Sequence, residues 1–549
     1  MTNSKQNQIN TYDAVVIGAG FSGLYMLHLL RESGFTTRVY EKGDGVGGAW
    51  YWSRYPGARC DSESIYYNFV FSEELYKDWS WSSRYPEQPE ILRYLNFVAD
   101  KLDLRRDIQF NTEVKAAHYD ESVNKWHIHL NDGTSISAKY LITGLGCLSV
   151  NATNVPNFKG LDRYEGEWYH TGAWPHEGVD LKGKRVGVIG TGSSGIQTIP
   201  VIAKEAAHLT VFQRTPQYSL PAGNHQYTAE FIQQTKDNFK EIARQMHESM
   251  GGQPGLASDR SALEDTPEQR QKVYEAAWEK GGAAMMFAYN DLLTNEEANE
   301  TAAVFIRSKI REIVKDPSIA EKLMPTYHFA TKRIVMDTNY FETYNRENVK
   351  LVDVKNAPIV EITPKGIRTT EEEYELDIIV FATGYDGMTG PLLKIDIRGK
   401  EGVSLKEKWD NGAQVNTYLG LATAGFPNMF MVTGPESPSV LGNVPVAIQQ
   451  HVEWISDCIN YLRENEIETM EANVEAEQNW SKHCSELADS TLYTKTDSWY
   501  TGANIPGKPR GFLIYLGGYA PYNQMIKEIA KNNYNGFTLT PQKGEIYLN

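Results

Sequence analysis

Residues 11–34 read TYDAVVIGAGFSGLYMLHLLRESG, and this stretch decides the fold expected for the first part of the chain. The apolar run Ala14–Ile17 predicts a buried strand. A short glycine-rich turn follows, and the leucines after it recur at the spacing of one helix face, as Leu24, Leu27 and Leu30. The order of strand, glycine turn and helix is typical of a βαβ unit in a parallel sheet.

The turn has the spacing Gly18-x-Gly20-x-x-Gly23, and the next strand-like segment, TTRVYEKG, contains Glu41 at its end. Gly18 permits the tight turn, Gly20 lets the backbone approach a pyrophosphate, and Gly23 lets the helix pack closely on the strand. The helix N-terminus supplies N–H groups and the positive end of a dipole. Glu41 is suited to accept hydrogen bonds from ribose hydroxyls. The turn therefore predicts a dinucleotide site, against the alternative of a glycine turn kept only for packing.

A second glycine turn lies in KRVGVIGTGSSGIQTIPVIAK, residues 184–204, again between a predicted strand and a predicted helix. The strand after it, LTVFQRTP, ends not in an acid but in Gln213-Arg214-Thr215. A carboxylate there would repel a 2′-phosphate, whereas a guanidinium binds one through two hydrogen bonds. We therefore expect Arg214 to select NADP(H) over NAD(H), against the alternative that Arg214 is a solvated surface residue.

The acid of the first site suits FAD and the arginine of the second suits NADPH, so the two turns predict a flavin that exchanges electrons with a nicotinamide. Disulfide reductases share this organisation but need a redox cysteine pair. The cysteines of this chain stand far apart in sequence, at Cys60, Cys147, Cys458 and Cys484. The remaining classes are a monooxygenase, in which oxygen is the acceptor, and a simple reductase with an external acceptor.

The composition excludes several other classes of protein. The 549-residue chain has a net charge of −16, which argues against nucleic acid or an anionic membrane as a partner. No apolar run reaches membrane-spanning length, and the first ten residues, MTNSKQNQIN, lack the apolar centre of a signal peptide. Separate cysteines are typical of a reducing compartment, so we expect a cytoplasmic protein. The histidines show no ligand spacing, so we expect no metal.

The chain is long enough for several domains, and each glycine turn marks the beginning of one. Between 226 and 325 the composition shifts to Glu, Lys, Ala and Gln with helical periodicity, and strand-like segments return at 349–368. We expect an α/β fold with two Rossmann-like dinucleotide-binding domains and a helical insertion. The expected bounds are 1–145 and 390–549 for the FAD domain, 146–225 and 326–389 for the NADP domain, and 226–325 for the insertion in the NADP domain.

The stretch between the two turns, YEGEWYHTGAWP at 164–175, looks like neither a helix nor a strand. Its spacing, Tyr164-x-Gly166-x-x-x-His170-x-x-x-Trp174-Pro175, resembles the FxGxxxHxxxW[PD] fingerprint of the Baeyer–Villiger monooxygenases, which also lies between two glycine turns. Tyr164 departs from the usual Phe but keeps the aromatic ring. We expect a linker between the two domains, in which His170 and Trp174 anchor the joint rather than touch the substrate.

Further stretches between residues 12 and 540 resemble the same family. GVGGAWYWSRYPGARCDSES at 45–64 resembles the flavin-proximal loop, and TKR at 331–333 resembles the catalytic Lys-Arg pair. GPESPSVLGNVPV at 434–446 resembles the substrate-pocket loop, and SWYTGANIPGKPR at 498–510 resembles the mobile loop on the nicotinamide side. The resemblance therefore covers nearly the whole chain.

The resemblance implies an NADPH- and O2-dependent flavin monooxygenase that inserts one oxygen atom beside a ketone carbonyl, giving an ester or a lactone. In that family NADPH reduces FAD, and the reduced flavin binds O2 as a C4a-peroxide that attacks the carbonyl. By resemblance, Arg333 stabilises the peroxide and the adduct, Asp61 positions Arg333, and Lys332 reaches a phosphate of the nicotinamide cofactor. The resemblance also implies small apolar ketones as substrates, sulfoxidation as a side activity, and a monomer.

The turns and the resemblance together give a set of expected site residues. At FAD we expect Gly18, Gly20, Ser22, Gly23, Glu41, Gly48, Trp50, Tyr67 and Val114. At NADP we expect Gly190, Thr191, Gly192, Ser193, Ser194, Gly195, Gln197, Arg214, Thr215, Lys332 and Trp499, the last closing over the cofactor with Asn504 and Lys508 nearby. The fingerprint linker comprises Gly166, His170, Trp174 and Pro175, and the substrate loop comprises Ser439, Val440 and Leu441.

Two other functions fit the same motifs. A flavin monooxygenase that oxidises nitrogen or sulfur atoms needs the same cofactors, and ester formation from a ketone discriminates against it. An uncoupled NADPH oxidase would consume NADPH at a rate that ketone does not change and would release stoichiometric hydrogen peroxide.

Overall fold

The first glycine turn lies where the sequence predicts it, between strand β1 (Asn10–Ile17) and helix α1 (Phe21–Glu32). The computed structural model describes residues 10–255 and 258–542, so nearly all of the polar N-terminal arm lies outside the described residues. Ala14, Val15 and Val16 are completely buried, as the apolar run of the strand predicts. Gly18 has a φ of +99°, in the left-handed region that a tight turn at this point needs.

A mixed sheet grows outward from β1 in the order β17-β4-β5-β6-β1-β2-β3, and β18 also pairs with β6. β1 runs parallel to β2 and β6, whereas β5 is antiparallel to both of its neighbours. The other strands of this sheet are β2 (Thr37–Tyr40), β3 (Ile108–Gln109), β4 (Val114–Asp120), β5 (Lys125–Leu130), β6 (Ser135–Thr143), β17 (Asp396–Arg398) and β18 (Met429–Met431).

A second sheet is parallel throughout, in the order β12-β9-β8-β16-β7. Two neighbouring strands of this sheet, β8 and β9, flank the second glycine turn and helix α5 (Ser193–Glu205). Gly190 has a φ of +108°, which matches the turn of the first sheet. The strands are β7 (Glu167–His170), β8 (Arg185–Ile189), β9 (His208–Gln213), β12 (Val349–Asp353) and β16 (Ile378–Phe381).

Smaller sheets complete the strands. They pair β10 (Ser219–Pro221) with β11 (Val335–Asp337), β13 (Ile359–Thr363) with β14 (Gly366–Thr369) and β15 (Glu373–Glu375), and β19 (Ile467–Ala472) with β20 (Phe537–Pro541).

The helices pack on the faces of the sheets, and several of them fill the predicted insertion at 226–325. The chain returns from β12 and β16 of the second sheet to β17 and β18 of the first, and the expected domain bounds stay a prediction. Besides α1, the helices are α2 (Ala49–Trp52), α3 (Glu73–Asp78), α4 (Gln88–Lys101), α5 (Ser193–Glu205), α6 (Ala229–Asp237), α7 (Phe239–Glu248), α8 (Pro267–Lys280), α9 (Glu296–Ile313), α10 (Pro317–Leu323), α11 (Tyr340–Thr343), α12 (Gly390–Leu393), α13 (Leu405–Lys408), α14 (Val444–Glu464), α15 (Val474–Asp489) and α16 (Tyr519–Lys531).

The expectation that 164–175 contains no strand is wrong. Residues 167–170 form β7, the edge strand of the second sheet, where Glu167 pairs with Ile378 and His170 with Phe381. The sequence hides this strand because an edge strand is paired on one side only and leaves exposed side chains such as Trp168, which is 43% exposed. The fingerprint is therefore built into the second sheet rather than lying free between two domains.

Across 10–255 and 258–542, no helix combines the length and the apolar character that crossing a membrane requires. Over the same ranges, no group of three or more His, Cys, Asp or Glu side chains is placed to hold a metal ion.

Candidate active site

A cleft opens beside the ends of β1, β2 and β6, where the first glycine turn begins. Ligands of parallel α/β sheets bind at this carboxyl edge. The predicted FAD residues that line the cleft are Gly18, Gly20, Glu41, Gly48 and Val114. The sequence did not indicate other lining residues, among them Lys42, Trp52, Ser53, Thr112, Leu145, Asn151 and Tyr385.

The geometry of this cleft fits the pyrophosphate and ribose of FAD. Gly20 caps α1 without a side-chain hydrogen bond, and no acid stands in the first turn, so no side chain of that turn competes with a bound anion for the N-terminal N–H groups. A Cβ atom on Gly20 would lie 3.3 Å from the Cα atom of Gly48, so the backbones approach each other as closely as glycine allows. This bare backbone surface is suited to a dinucleotide phosphate.

Glu41 follows β2 and is only 5% exposed. Its two carboxylate oxygens accept hydrogen bonds from the N–H groups of Ala19 and Gly43, at 2.8 and 2.7 Å. Burial raises the pKa of the Glu41 carboxyl, and the backbone hydrogen bonds oppose that rise. Each oxygen keeps a second lone pair, so Glu41 can still accept from a ribose hydroxyl while it holds the turn.

The other predicted FAD residues do not line this cleft. Ser22 is buried in α1, and a Cβ atom on Gly23 would collide with the carbonyl oxygen of Gly18, which explains the close packing of helix on strand. Trp50 donates its indole N–H to the hydroxyl oxygen of Tyr67 at 3.0 Å. A contact of Ser22, Trp50 or Tyr67 with FAD stays a prediction.

Two cations converge beyond the second glycine turn. Arg214 follows β9 and is exposed, whereas Lys332 is half-buried with its ammonium 4.8 Å from the centroid of the Tyr327 ring. Burial lowers the pKa of Lys332, and the positive charge of Arg214 lowers it further. The two predicted phosphate ligands therefore lie close enough for the charge of Arg214 to act on Lys332, and their contact with a cofactor phosphate stays a prediction.

The second turn has the same open end as the first. Gly192 caps α5 without a side-chain hydrogen bond, and the first turn carries no acid. Thr191 donates its hydroxyl to the carbonyl oxygen of Thr215 at 3.0 Å, and the hydroxyl of Ser194 lies 2.9 Å from that of Thr171. The turn is therefore tied both to the end of β9 and to the fingerprint segment. The predicted contacts of Gly190, Ser193 and Gly195 with NADP stay predictions.

Gln197 is held by the loop at 45–64, which follows β2. Its amide oxygen accepts from the Tyr55 hydroxyl at 2.6 Å, and its amide N–H donates to the carbonyl of Arg59 at 2.9 Å. These bonds join α5 of the second sheet to the loop that carries Asp61. Gln197 was expected at NADP, and this placement gives it a bridging role between the two dinucleotide-binding units.

Arg333 and Asp61 meet in a bidentate ion pair. The Nε and Nη2 atoms of Arg333 donate to the two carboxylate oxygens of Asp61 at 2.8 and 2.6 Å, and Nη1 donates to the carbonyl of Val440. Gln217 donates to the backbone carbonyl of Arg333 at 2.5 Å. The structure therefore joins the flavin-proximal loop, the TKR segment and the substrate loop at one guanidinium.

The charge of Arg333 is fixed by its surroundings. Burial lowers its pKa, but Asp61 and the nearby Tyr500 raise it by more, so the pKa of Arg333 lies above its ordinary value. Burial also raises the pKa of Tyr500 to about 12, and Arg333 opposes that rise. Tyr500 was not expected here, because nothing in the spacing of the 498–510 loop pairs it with Arg333.

An apolar cluster surrounds the Val440 side of this cation. Its buried members are Cys147, Met388, Val440, Tyr493, Tyr500 and Ile514, and its half-buried members include Leu148, Leu441 and Trp499. Ser439 is 1% exposed, and its carbonyl accepts the Tyr519 hydroxyl at 2.6 Å. The predicted substrate loop therefore places apolar side chains next to one permanently charged group.

The fingerprint residues hold the edge of the second sheet. A Cβ atom on Gly166 would collide with the Tyr164 hydroxyl and the Asp377 carbonyl, and the Tyr164 hydroxyl donates to the Leu376 carbonyl at 2.9 Å. Trp174 is 3% exposed and packs on the Tyr169 ring. The hydroxyl of Tyr164, which is the departure from the family pattern, therefore gains a hydrogen bond.

His170 is buried and neutral. Its Nδ1 atom accepts the Gly172 N–H at 2.9 Å, and its ring lies edge-on to Tyr385, with 6.0 Å between the centroids. Burial lowers the pKa of His170 to about 4. Tyr385 lines the cleft beside the first glycine turn, so His170 packs behind a wall of that cleft, and its anchoring role between the domains stays a prediction.

The 498–510 loop is docked on the segment that follows β16. Asn504 donates to the Tyr385 carbonyl at 2.7 Å, and the Lys508 ammonium donates to Asp386 at 2.5 Å and to the Gly387 carbonyl at 2.8 Å. Trp499 packs against Gly387. The loop therefore covers the apolar cluster beside Arg333, and its contact with NADP stays a prediction.

Comparison with known proteins agrees with this geometry. The flavin-binding monooxygenase-like family model matches residues 12–322. A Baeyer-Villiger monooxygenase of Pseudooceanicola batsensis is 47% identical over 527 residues, 95% of each chain. A phenazine N-monooxygenase of Lysobacter antibioticus is 43% identical and covers 97% of this chain and 98% of its own.

A solved structure gives the same result for the fold. The crystal structure of cyclohexanone monooxygenase from Rhodococcus sp. Phi1 bound to NADP+ has a TM-score of 0.94 and 46% identity, over 97% of this chain and 100% of that one. The predicted α/β fold class is confirmed. The chain belongs to the flavin-binding monooxygenase-like family, and its resemblance to the Baeyer–Villiger monooxygenases is confirmed by relatives that match nearly its whole length.

Proposed function

We propose that the chain is an FAD-containing, NADPH- and O2-dependent Baeyer–Villiger monooxygenase that converts ketones into esters or lactones. The observation that carries this proposal is the Arg333 guanidinium, which Asp61 and Val440 hold at the edge of an apolar cluster. Oxygen insertion beside a carbonyl passes through a negatively charged oxygen. A permanently protonated, fixed donor in a dry site is the group that stabilises such a charge best.

The residues of the two turns would hold the cofactors. The N-terminus of α1 and Glu41 would bind FAD, Arg214 would bind the 2′-phosphate of NADPH, and Lys332 would reach a phosphate of the same cofactor. When bound, FAD would activate O2, and O2 supplies the oxygen atom that is transferred. The chain must bring the nicotinamide and the ketone to the same side of that cofactor and keep water away.

Arg333 would orient the reacting oxygen and the ketone. Its guanidinium has five N–H donors. Three of its nitrogen atoms are already fixed by Asp61 and Val440, so the remaining N–H groups point in set directions. The raised pKa keeps them charged while a negative oxygen forms. The apolar cluster favours a neutral ketone, and the docked 498–510 loop excludes water from it.

Product analysis tests the proposal. The purified, FAD-loaded protein is incubated with NADPH, isotopically labelled O2 and a set of linear, cyclic and aryl ketones. We expect esters or lactones that carry one labelled oxygen atom per molecule, detected by mass spectrometry. NADPH consumption that ketone does not change, with stoichiometric hydrogen peroxide and no ester, contradicts the proposal and indicates an NADPH oxidase.

Nitrogen oxidation is the second candidate, and the phenazine N-monooxygenase relative favours it. The same purified protein should therefore receive a phenazine and a ketone in equal amounts. A predominant N-oxide would overturn the ketone assignment, whereas a predominant ester supports it. Sulfoxidation of a thioether in the same assay is expected as a minor activity.

The domain division, a monomeric state and a cytoplasmic location belong to the same proposal. The return of β12 and β16 to the second sheet and of β17 and β18 to the first supports the division at 145, 225, 325 and 389. Light scattering of the purified protein would test the monomer, and fractionation of its source cells would test the location.

A further inference from the structure

Glu436 is buried at the base of the substrate loop, in the segment GPESPSVL at 434–441. It is 3% exposed, and its φ of +66° lies in the left-handed region. A residue with a Cβ atom adopts that region at a cost, and it persists where surrounding contacts hold it. The contacts that hold Glu436 in this conformation therefore point to its role.

The carboxylate of Glu436 gathers donors from two other parts of the fold. Its Oε2 atom accepts from the Thr417 N–H at 3.0 Å, the Thr417 hydroxyl at 2.9 Å and the Ser481 hydroxyl at 2.8 Å. Its backbone carbonyl accepts the indole N–H of Trp480 at 3.1 Å. Its backbone N–H donates to the Leu513 carbonyl at 2.8 Å. One residue thus ties the loop to α15, to the turn at 417 and to the strand-like segment at 513.

The loop that Glu436 anchors runs directly to Arg333. The Ser437 carbonyl accepts the Tyr515 N–H at 3.2 Å, the Ser439 carbonyl accepts the Tyr519 hydroxyl at 2.6 Å, and the Val440 carbonyl accepts from Arg333. The carbonyls of Ser437, Ser439 and Val440 are therefore each held by a hydrogen bond from another part of the fold. A shift of the loop base changes where the Val440 carbonyl stands.

We propose that Glu436 is a positioning residue that sets the Val440 carbonyl, and through it the Arg333 guanidinium, for oxygen transfer. This inference rests on the proposed function. Glu436 is not a member of the apolar cluster beside Arg333. We therefore expect its substitution to change how much ester is formed per NADPH consumed. NADPH oxidation and FAD reduction depend on the two dinucleotide turns, which Glu436 does not contact.

The carboxyl of Glu436 titrates among other ionisable groups. Glu477 and Cys484 face it from α15, and Lys408 forms an ion pair with Glu477 at 2.5 Å. Tyr515 stacks on Trp480 from the segment at 513–516. Burial raises the pKa of Glu436 to about 7, while the hydrogen bonds of Ser481 and Thr417 oppose that rise.

The titration of Glu436 determines whether the yield of ester rises or falls with pH. A carboxylate holds its donors roughly twice as strongly as a neutral carboxyl. Above the pKa of Glu436 the loop is therefore held more firmly, so the yield of ester per NADPH is expected to rise as the pH increases through about 7. The substitution Glu436→Gln keeps the size of the side chain and removes its charge at every pH.

The test measures ester formed and hydrogen peroxide released per NADPH, from pH 6 to pH 8.5, on FAD-loaded protein with a ketone that the wild type converts. We expect that the ester yield of E436Q does not rise near pH 7 as the wild-type yield does. At pH 8.5, E436Q should give roughly threefold less ester per NADPH than wild type. Its rate of FAD reduction by NADPH should stay within about twofold of wild type. The matched control is Glu475→Gln, an exposed acid on the same helix α15, which should keep the wild-type profile.

A second variant keeps the inference testable if E436Q does not fold. Ser481→Ala removes one donor that favours the charged carboxylate, so the step should move to higher pH. The inference is wrong if E436Q and wild type give the same yield at every pH, or if the step does not move in S481A. If the wild-type protein forms no ester, the proposed function itself is wrong. That outcome differs from one in which E436Q and wild type form the same amount of ester.

Discussion

Asp61 and Arg333 form a bidentate ion pair although 272 residues of chain separate them, with N–O distances of 2.8 and 2.6 Å. Neither side chain is more than about a quarter exposed, at 23% and 25%. Asp61 comes from the loop that follows the first glycine-rich region, and Arg333 comes from the segment before β11. The pair therefore connects the two dinucleotide-binding units at the proposed reaction centre.

Asp61→Asn should impair oxygen transfer more than flavin reduction. The amide keeps the shape of the side chain but loses the charge and one of the two acceptors that orient Arg333. We expect ester formation to fall on the order of a hundredfold, because preorganised charged donors have effects of that size. FAD reduction by NADPH, followed by stopped-flow absorbance, should fall less than about tenfold. Asp162→Asn, an exposed acid elsewhere, is the control, and full ester formation in D61N would contradict the positioning role.

Arg214→Ala should weaken the binding of NADPH much more than that of NADH. The Arg214 guanidinium is exposed, and its charge lowers the pKa of the Lys332 ammonium, so the two cations would act together on a 2′-phosphate. We expect KM for NADPH to rise at least about tenfold and KM for NADH to change by less than about twofold. Arg93→Ala, another exposed arginine, should change neither constant. Equal changes in both constants for R214A would show that Arg214 does not select the cofactor.

Gly166→Ala should destabilise the edge of the second sheet. The added methyl group collides with the Tyr164 hydroxyl and with the Asp377 carbonyl. We expect a loss of about 1–3 kcal/mol, the usual cost of overpacking, measured as a lower midpoint in urea. Tyr164→Phe removes only the hydrogen bond to Leu376 and should cost about 1 kcal/mol. A G166A protein as stable as wild type would mean that the fingerprint glycine is not required for packing.

His170 should affect stability in acid rather than catalysis. Its folded pKa of about 4 lies below the ordinary value of 6.5, so the unfolded chain binds more protons between those values. The contribution of the neutral ring to stability is thus complete above about pH 6.5 and is lost as the pH falls towards about 4. The loss is at most about 3 kcal/mol.

Melting temperatures of wild type and His170→Gln between pH 4 and pH 8 check this sign. The two curves should converge as the pH falls, and the yield of ester per NADPH should stay unchanged at neutral pH. His225→Gln, an exposed histidine, should follow wild type throughout. A parallel pair of curves, or a loss of ester with normal stability, would give His170 a different role.

Local patterns predicted the parts of this site that lie close together in sequence. Each glycine turn stands beside its strand and helix, so the spacing of Gly18 or Gly190 was sufficient to predict the unit. The selection of NADP(H) by Arg214 stays a prediction. The pairing of Asp61 with Arg333 came only from the family resemblance, since no local rule connects residues so far apart.

The features that sequence reasoning missed depend on long-range packing. β7 was overlooked because an edge strand needs no continuous apolar run, and Trp168 remains exposed. Glu436 reads as an exposed acid in a loop rich in Pro and Ser, yet the fold buries it and gives it a positive φ. Tyr500 reaches Arg333 from a different loop, so only the folded chain shows their proximity.

The role of Arg333 is tested by Arg333→Ala, assayed for flavin reduction and for ester in the same preparation. We expect that NADPH still reduces FAD, that hydrogen peroxide accounts for the NADPH consumed, and that ester is undetectable. Arg333→Lys keeps a charge but cannot form the bidentate pair with Asp61, so it should recover only a small part of the activity. Ester formed by R333A at a rate comparable to wild type would contradict the assignment of Arg333 as the residue that stabilises the reacting oxygen.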